Sequence, residues 1–368
     1  MKFMNNRKTY NLSDICRFVT NRTCNIENYI STENMLPNKG GITSPSNIPS
    51  GSAIAYQLGD VLISNIRPYF QKIWQANCDG ACSADVLCIR ANEKANSKYL
   101  YYLLSQQKFF DYVMSGAKGC KMPRGDKSQI MQWQLSLPPL AEQKRIADIL
   151  SAIDDKIELN RRINANLEQQ AQTLYKKWFV TVEKDNWEEK RLGDIIELYD
   201  SQRRPLSGQQ RANMDKIYPY YGAASLMDYV DNYLFDGIYL LLGEDGTVSD
   251  SEGFPMLQYV WGKFWVNNHA HILQGKNGYT TESLYILLKQ TNVSSIITGA
   301  VQPKISQANL KSIPIKLPPI ELLSNYNKII KPLFEEIRNN STQINQLSTL
   351  RDTLLPKLMS GEINVSTN

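Results

Sequence analysis

Apolar positions along the chain follow two patterns, and their alternation divides it into four stretches. Residues 1–140 and 185–320 contain short apolar runs bounded by glycine and polar residues, such as Gly59–Ser64 and Gly237–Leu242. Runs of this kind predict buried strands. Both stretches are therefore expected to fold as globular domains with strands in their cores.

Each globular stretch also contains one apolar segment of helical length. Helices are predicted at Ser97–Ser105 and Thr281–Gln290, with the first residue of each as its N-cap. A double proline follows at 138–139 and again at 318–319. Because the residue before a proline is pushed out of helical geometry, each pair is expected to end a compact α+β domain.

The stretches 141–184 and 321–368 have a different pattern, in which apolar positions recur at alternating steps of four and three. This heptad spacing lasts about 33 residues in the first stretch and predicts a helix of roughly 50 Å. Two such helices with apolar seams are expected to pack on each other as an antiparallel coiled coil. The predicted seam and subunit interface consists of Ile146, Leu150, Ile153, Ile157, Asn160, Leu167, Leu174, Trp178, Ile330, Ile337, Asn340, Leu347 and Leu354.

The chain also repeats itself. Leu137-Pro-Pro-Leu140 recurs as Leu317-Pro-Pro-Ile320, and Pro123-Arg124 recurs as Pro303-Lys304, both displaced by 180 residues. This period is too long for a solenoid and indicates a duplicated unit with pseudo-twofold symmetry. The predicted domains are 1–140, a helix at 141–184, 185–320 and a helix at 321–368.

Several positions in the two predicted helices depart from a simple apolar pattern. Asn160 and Asn340 occupy equivalent places, where a buried amide either fixes the register or leaves a solvated gap. Arg351 is the one charged seam residue. Pro332 is expected to kink the second helix or delay its start.

Charge is unevenly distributed along the chain. Residues 1–140 carry a net charge of +7, whereas residues 185–320 carry −3. The first value suggests a polyanionic partner, and the second argues against a uniformly basic clamp. The start of the chain lacks an apolar segment of signal-peptide length, and no stretch approaches 18 uninterrupted apolar residues, so a cytoplasmic protein is expected.

Residues that carry chemistry are sparse. The chain has neither a phosphate-binding GxxxxGK[ST] loop nor GxGxxG after a strand, and we expect no catalytic site. Cys78, Cys82 and Cys88 lack zinc-knuckle spacing, Cys120 stands apart, and reduced thiols are expected. His269 and His271 would share one face of a strand without a nearby carboxylate in sequence. No metal site is therefore expected.

The run Leu137-Pro-Pro-Leu-Ala-Glu-Gln-Lys-Arg-Ile146 and its continuation to Asn160 closely resemble the central region of type I restriction–modification specificity subunits. Met122-Pro-Arg-Gly-Asp126, Gly243-Glu-Asp-Gly246 and Trp265-Val-Asn-Asn-His-Ala-His271 are similar to the same family. The second helix departs from it, since Glu321-Leu-Leu replaces the Glu-Gln-Lys pattern. The resemblance is therefore weaker at that end of the subunit contact.

The resemblance implies a non-enzymatic subunit that recognises double-stranded DNA. Each globular stretch would be a target recognition domain reading one half of a bipartite, asymmetric site. The helices would space the halves and dock two methyltransferase subunits, and restriction–translocase subunits would join them. S-adenosylmethionine, ATP and magnesium would be bound by those partners, with no cofactor in this chain.

DNA contacts are expected from basic, amide and aromatic side chains, because base edges and phosphates are bound by these groups. For each of them, the alternative is a solvated or structural role. The predicted DNA-binding residues are Arg67, Tyr69, Lys72, Lys121, Arg124 and Lys127 in the first domain, and Arg203, Arg204, Asn268, His269, Gln302 and Lys304 in the second.

Two other interpretations remain open on the residues alone. The chain could be a coiled-coil scaffold that joins proteins without reading DNA. It could also be a self-contained nuclease or methyltransferase with unfamiliar motifs. Enrichment of a split DNA motif would separate recognition from scaffolding, and catalysis by the purified chain would identify an enzyme.

Overall fold

A computed structural model describes residues 7–45, 47–119, 121–185, 187–299 and 301–365. They form two compact units, of which unit 1 comprises the described residues up to Leu159 together with those from Ile344 onward. Unit 2 is Asn160–Gln343. Each unit thus contains one globular stretch and a segment of each long helix. In the described part of the chain, no helix is long and apolar enough to span a membrane.

Unit 1 contains nine strands and three short helices among its described residues. The strands pair as β1-β9, β2-β8-β5-β6 and β3-β4-β7. Their bounds are β1 Lys8–Asn11, β2 Cys16–Phe18, β3 Arg22–Thr23, β4 Ala53–Tyr56, β5 Val61–Ser64, β6 Ile73–Gln75, β7 Gly80–Cys82, β8 Val86–Ala91 and β9 Gln134–Leu137, with helices α1 Ser97–Leu104, α2 Gln107–Ser115 and α3 Lys127–Met131.

Two long helices contribute to both units, α4 at Leu140–Tyr175 and α8 at Ile320–Ser360. The π-helical turn Lys176–Val180 directly follows α4. Between α4 and α8 lie β10 Glu188–Arg191, β11 Ile196–Leu198, β12 Tyr218–Tyr221, β13 Leu226–Val230, β14 Phe235–Gly243, β15 Leu257–Val266, β16 Ala270–Gly275 and β17 Pro314–Leu317, with α5 Gly208–Ala212, α6 Thr281–Leu288 and α7 Gln307–Ser312.

The strands of unit 2 form one two-stranded sheet, β10-β17, and one six-stranded sheet, β11-β16-β14-β15-β12-β13. The apolar faces of β14 and β16 pack on α6 and on the long helices in one core that includes Leu240, Leu273, Leu284 and Tyr326. Each unit therefore has a hydrophobic core of its own, and each core incorporates long-helix residues.

Within each unit the two long helices run antiparallel. In unit 1 Asp154 pairs with Arg351 at 2.8 Å, so the charged seam residue has a local counterion. In unit 2 Asn160 donates to Gln343 Oε1 at 2.7 Å, and Tyr326 donates to the Ala171 carbonyl at 2.9 Å. The predicted antiparallel pairing of the helices is confirmed.

Both seam asparagines are buried, and each has a polar partner. The Asn340 amide donates to Asn164 Oδ1 at 3.0 Å, and Asn164 donates to Ser341 Oγ at 3.0 Å. Asn160 is fully buried and its Oδ1 lacks a hydrogen-bond partner among the described residues. These amides form a polar layer in an otherwise apolar seam, as expected of register-fixing residues.

Three local expectations differ from the structure. Asn96 and Thr280, rather than the residues that follow them, are the N-caps, because their side chains accept from the backbone N–H three residues on. The helix α8 begins at Ile320, so Pro332 does not delay it. A helical proline costs about 3 kcal/mol, which burial of neighbouring seam residues such as Ile330 and Phe334 offsets.

The elements recur as the sequence repeat predicts. The pairs β1–β9 and β10–β17 match at a displacement of 180, as do the first residues of α4 and α8. The pairing of β5 with β8 corresponds to that of β14 with β16, where Ser64 faces Val86 and Gly243 faces Ala270. The same arrangement of strands therefore precedes the same loop in both units.

Candidate nucleic-acid interface

A short loop at 118–124 closes on itself beside the end of β5. Lys118 and Arg124 exchange two backbone hydrogen bonds of 2.9 Å each. The backbone N–H of Arg67 donates to the Pro123 carbonyl at 2.8 Å, which fixes the loop to the segment after β5. The two basic segments predicted separately in the first domain therefore lie side by side.

Unit 2 contains the same loop at 298–304. Thr298 and Lys304 exchange backbone hydrogen bonds of 2.8 and 2.7 Å, and the Gly246 N–H donates to the Pro303 carbonyl at 3.0 Å. We call the described residues of 118–124 and 298–304, which exclude Cys120 and Ala300, the recurring loops. Their backbone hydrogen bonds correspond one to one, so both units hold this loop in one frame.

The frame requires special backbone geometry at two places. Gly119 and Gly299 have φ values of 97° and 89°, which favour glycine. The anchoring residue after the central strand is also left-handed, with φ of 79° at Gly246 and 50° at Arg67. A non-glycine residue in this region costs roughly 1–2 kcal/mol, so unit 1 keeps an arginine there against its backbone preference.

The predicted residues around the first recurring loop differ in exposure. Lys121, Arg124 and Lys127 are exposed, and Arg124 lies 3.2 Å from Asp85. Tyr69 is 48% exposed and stacks at a tilt on Phe70. These groups present three positive charges and an aromatic ring to solvent.

Arg67 and Lys72 are half-buried. The Nε of Arg67 is buried without a hydrogen-bond partner in the described chain. Lys72 donates to the Thr32 carbonyl at 2.7 Å, and burial lowers the pKa of its ammonium group. Lys72 is thus engaged in holding the segment around Thr32.

In unit 2, two of the predicted residues, Gln302 and Lys304, belong to the second recurring loop. Arg204, Asn268 and Gln302 are exposed. The side chain of Lys304 is half exposed and lies 3.3 Å from Glu244 Oε1. His269, 46% exposed at its side chain, pairs with Asp245.

Arg203 lies mostly inside unit 2, in a network that sequence reasoning missed. It contacts Glu244 Oε2 at 2.6 Å and donates to the Ala270 carbonyl at 2.8 Å. Asp200 accepts from His271 Nδ1 at 2.6 Å and from Gln307 Nε2 at 2.6 Å. The network joins the start of β16, the end of β14 and helix α7 around the second recurring loop.

The carboxylates of this network are held in their ionised form. Burial opposes ionisation of Asp200, but the hydrogen bond and charge of His271 lower its pKa below the usual value. Burial likewise opposes ionisation of Glu244, and the hydrogen bond from Arg203 lowers its pKa. The hydrogen bonds from His271 and Arg203 therefore offset the burial of the two carboxylates.

The expectation that both histidines share a strand face without nearby carboxylates is wrong. His269 precedes β16, whereas His271 lies within it and is fully buried. The ligand atoms of Asp200, Glu244 and His271 lie within 4.8 Å of one another. Yet the second ring nitrogen of His271 faces the Ile305 carbonyl at 2.8 Å, and the carboxylates are engaged by Arg203 and Lys304. This is the arrangement of an ion-pair network.

Three cysteines of unit 1, Cys16, Cys82 and Cys88, are buried. Cys82 and Cys88 are buried in a small apolar core with Met35 and Leu62. Burial raises the pKa of the Cys16 thiol to about 12, so that thiol stays protonated at neutral pH. Cys120 lies outside the described residues.

The start of each long helix explains why the two helix motifs differ. Gln143 is buried, donates to the Lys94 and Pro138 carbonyls at 3.0 and 2.9 Å, and accepts from the Asn96 N–H at 2.9 Å. Leu323, at the equivalent place, is buried in the core of unit 2. Both positions face inward, so the exchange of glutamine for leucine there changes packing in the core, whereas Lys144 and the equivalent Ser324 are exposed.

Comparison with known proteins gives consistent matches. The sequence model described as "Type I restriction modification DNA specificity domain" matches residues 4–169 and again 184–349. The MjaIX specificity subunit of a type I restriction enzyme from Methanocaldococcus jannaschii is 29% identical over 73% of this chain and 69% of its own length. The HindI specificity subunit from Haemophilus influenzae is 23% identical over 98% of this chain and 100% of its own length.

A crystal structure of a type I restriction-modification S subunit from M. genitalium has a similar fold. It aligns with a TM-score of 0.56 at 16% identity and covers 100% of this chain and 98% of its own. The two family matches coincide with the repeat, and each includes one recurring loop and most of one long helix. The chain therefore belongs to the type I restriction–modification DNA specificity family, of which it carries two domains and whose role is DNA recognition without a catalytic site.

Proposed function

We propose that this chain reads a bipartite, asymmetric DNA site, with residues 1–140 reading one half and residues 185–320 the other. The observation that carries the proposal is the recurring loop. The same backbone frame occurs once in each unit and carries exposed basic side chains, Lys121 and Arg124 in one and Lys304 in the other. A site with two halves requires two similar recognition domains, and the repeated unit provides two such domains.

The proposed contacts fall into two classes. Arg124, Lys127, Arg204 and Lys304 are basic residues suited to phosphates, which position a protein on the duplex without reading sequence. The other exposed or half-buried predicted residues have the hydrogen-bonding, planar or aromatic groups that bind base edges. They are Arg67, Tyr69, Lys121, Asn268, His269 and Gln302.

Lys72 and Arg203 are given a supporting part in this proposal. Both have their polar groups directed at neighbouring segments, Lys72 at Thr32 and Arg203 at Glu244 and the Ala270 carbonyl. An arginine that leaves such contacts would abandon an ionised, half-buried carboxylate, which is costly. Their role is to shape the surface around the recurring loops.

The proposed partners are two copies of a methyltransferase subunit, joined by restriction–translocase subunits. Two identical partners need the same surface twice. Exposed apolar side chains occur on the long helices at matching places, with Leu140 and Ile320 50% and 62% exposed and Ile149 and Ile329 39% and 41% exposed. Paired apolar residues of this kind suit a docking surface that a partner covers.

The chemistry of the complex belongs to these partners in the proposal. They would bind S-adenosylmethionine for adenine methylation, and ATP and magnesium for translocation and cleavage. This chain contributes sequence recognition and assembly. Because the substrate is cellular DNA, the proposed place of action is the cytoplasm.

The test is selection of DNA from a randomised duplex pool by the full chain in complex with its methyltransferase subunits. We expect one enriched motif with two specific halves separated by an unspecific spacer. Adenine methylation mapped across the DNA of a host with the complete system should give the same motif. An assembled complex that enriches no split motif would contradict the proposal and favour a protein scaffold.

A further inference from the structure

The two recurring loops share a frame but differ at their tips. The tip of the first consists of Lys121 and Met122, and the tip of the second of Val301 and Gln302. These pairs are equivalent by the displacement of 180 that relates the closing residues Lys118 and Thr298. Both tips therefore combine one apolar and one hydrogen-bonding side chain, in opposite order.

The side chains at both tips are exposed to solvent and make no hydrogen bond within the part of the chain that the structure describes. Val301 is 99% exposed and Met122 is 52% exposed. The side chains of Lys121 and Gln302 make no hydrogen bond to any residue that the structure describes. The ends of both loops, in contrast, are held by closing and anchoring backbone hydrogen bonds of 2.7–3.0 Å.

Unused side chains on a loop whose ends are held by backbone hydrogen bonds are suited to recognition, because such a loop loses less conformational entropy on binding than an unanchored loop. Isolated exposed apolar residues are common and mean little alone. Here, however, the same set of backbone hydrogen bonds forms the frame twice, with a glycine at 119 and at 299, while the tip residues differ. Proline and a basic residue occupy equivalent places, Pro123-Arg124 and Pro303-Lys304, directly after the tips.

We infer that the tip residues are the specificity determinants of the two units, a statement that rests on the proposed function. In the major groove, an apolar side chain contacts the thymine methyl group, lysine binds guanine O6 and N7, and glutamine binds adenine N6 and N7. The half read by unit 1 should therefore contain a guanine for Lys121 and a thymine for Met122. The half read by unit 2 should contain an adenine for Gln302 and a thymine for Val301.

The basic residues behind the tips have a separate task in this scheme. Arg124 and Lys304 follow the proline in each loop and carry the positive charge that both loops share. They suit contacts to phosphates, which are present in DNA of any sequence. Tip substitutions should thus change which bases are preferred. Substitution of Arg124 or Lys304 should weaken binding to all sequences alike and reduce its dependence on salt.

The experiment exchanges the tips in the full chain assembled with its methyltransferase subunits. One variant carries Lys121→Val and Met122→Gln, and the other carries Val301→Lys and Gln302→Met, so that each loop receives a tip already found on this frame. Leu58→Gln is the matched control, since Leu58 is 67% exposed and outside the recurring loops. Motifs are selected from a randomised duplex pool.

We expect each exchange to alter bases in one half of the motif only and the two exchanges to affect opposite halves. Discrimination at an affected position should fall by about tenfold or more, as for loss of one good base contact. The control should select the wild-type motif. If the exchanged loops prevent all binding, Met122→Ala and Val301→Ala give the same answer with smaller truncations.

Unaltered motifs in every tip variant would overturn this inference while the proposed function stands, because the wild type would still select a split motif. Failure of the wild-type complex to select any motif would instead refute the proposed function, and this inference with it. Uniform weakening across sequences, without a changed preference, would also overturn it, since it would assign the tips to phosphate contacts.

Discussion

The N–H of Arg67 donates to the carbonyl oxygen of Pro123 while Arg67 itself has a left-handed backbone, with φ of 50°. The corresponding residue in the second unit is Gly246, which adopts this conformation without steric cost. One unit therefore retains a long, cationic side chain at a place where glycine would suffice. In the proposed function, the guanidinium group at this place makes a base contact.

Replacing Arg67 with glycine should separate backbone strain from side-chain function. We expect the free energy of unfolding of unit 1 to change by less than about 1 kcal/mol, because relief of the left-handed strain offsets the flexibility of glycine. DNA affinity should fall by about tenfold or more, as for loss of a charged base contact. Urea unfolding and DNA titration measure the two effects.

Gln71→Gly is the matched control for this substitution. Gln71 has the same φ of 50° and lies at the other end of the same turn, but carries no charge. It should relieve comparable strain and leave DNA affinity within about twofold of the wild type, since no phosphate or base contact is proposed for it. Equal loss of affinity in both variants would show that the backbone of the turn, not the guanidinium group, matters.

Gln143 should be sensitive to an apolar replacement although it belongs to a helix start. Gln143→Leu leaves the Asn96 N–H and the Lys94 and Pro138 carbonyls without their partner. Unsatisfied buried groups cost about 1–3 kcal/mol, and we expect a loss of stability in this range by denaturant unfolding. Lys144→Leu, at the exposed neighbouring position, should leave the stability nearly unchanged. An equal loss of stability in both variants would show that the hydrogen bonds of Gln143 are not its cause.

The two seam asparagines should respond differently to leucine. Asn160→Leu removes a buried oxygen that has no partner and releases only Gln343, which is exposed and can bind water. Asn340→Leu deprives the half-buried Asn164 of its donor. We expect Asn160→Leu to be neutral or stabilising and Asn340→Leu to cost about 1–2 kcal/mol. Thermal unfolding of both variants measures this, and a larger loss for Asn160→Leu would contradict it.

The acidic network should make unit 2 sensitive to low pH. The folded pKa values of Asp200 and Glu244 lie below their ordinary values of 3.8 and 4.5. Their stabilisation is therefore complete above these values and is lost as the pH falls through them toward the folded pKa values. Asp200→Asn should lower the stability of unit 2 at neutral pH, and the further loss of stability below about pH 4.5 should be smaller than in the wild type.

Near-ultraviolet circular dichroism against pH measures this transition. Asp126 is a fitting control, since its carboxylate also has a lowered pKa, from Lys118 and two backbone N–H groups, but lies partly exposed in unit 1. Asp126→Asn should leave the acid transition of unit 2 unchanged. An acid transition unaltered by Asp200→Asn would show that other carboxylates control it.

The proposed docking of two methyltransferase subunits predicts stepwise loss of stoichiometry. Ile149→Lys and Ile329→Lys should each remove one bound subunit, and the double variant should remove both, because a charge at a buried interface costs several kcal/mol. Native mass spectrometry counts the subunits, with Leu58→Lys as the control. A double variant that still binds two subunits would place the docking surface elsewhere.

Periodicity alone was sufficient for the larger features. The heptad seam predicted two long helices, and the repeat at 180 predicted two equivalent domains, because burial of a helical stripe or a strand leaves a regular trace in sequence. The helix motif also identified the family. Local caps were misplaced by one residue at Asn96 and Thr280, since several polar residues in a row can serve as N-cap.

Tertiary structure decided what the candidate site is made of. Sequence placed Arg67 and Arg124 in separate loops, and only long-range pairing of the β5 end with the recurring loop brings these segments together. It also could not distinguish Arg203, which is held inside by Glu244, from the neighbouring exposed Arg204. Spacing along the chain records which face of an element is buried. Which distant charges become neighbours depends on strand pairing and loop closure, and sequence periodicity carries no trace of either.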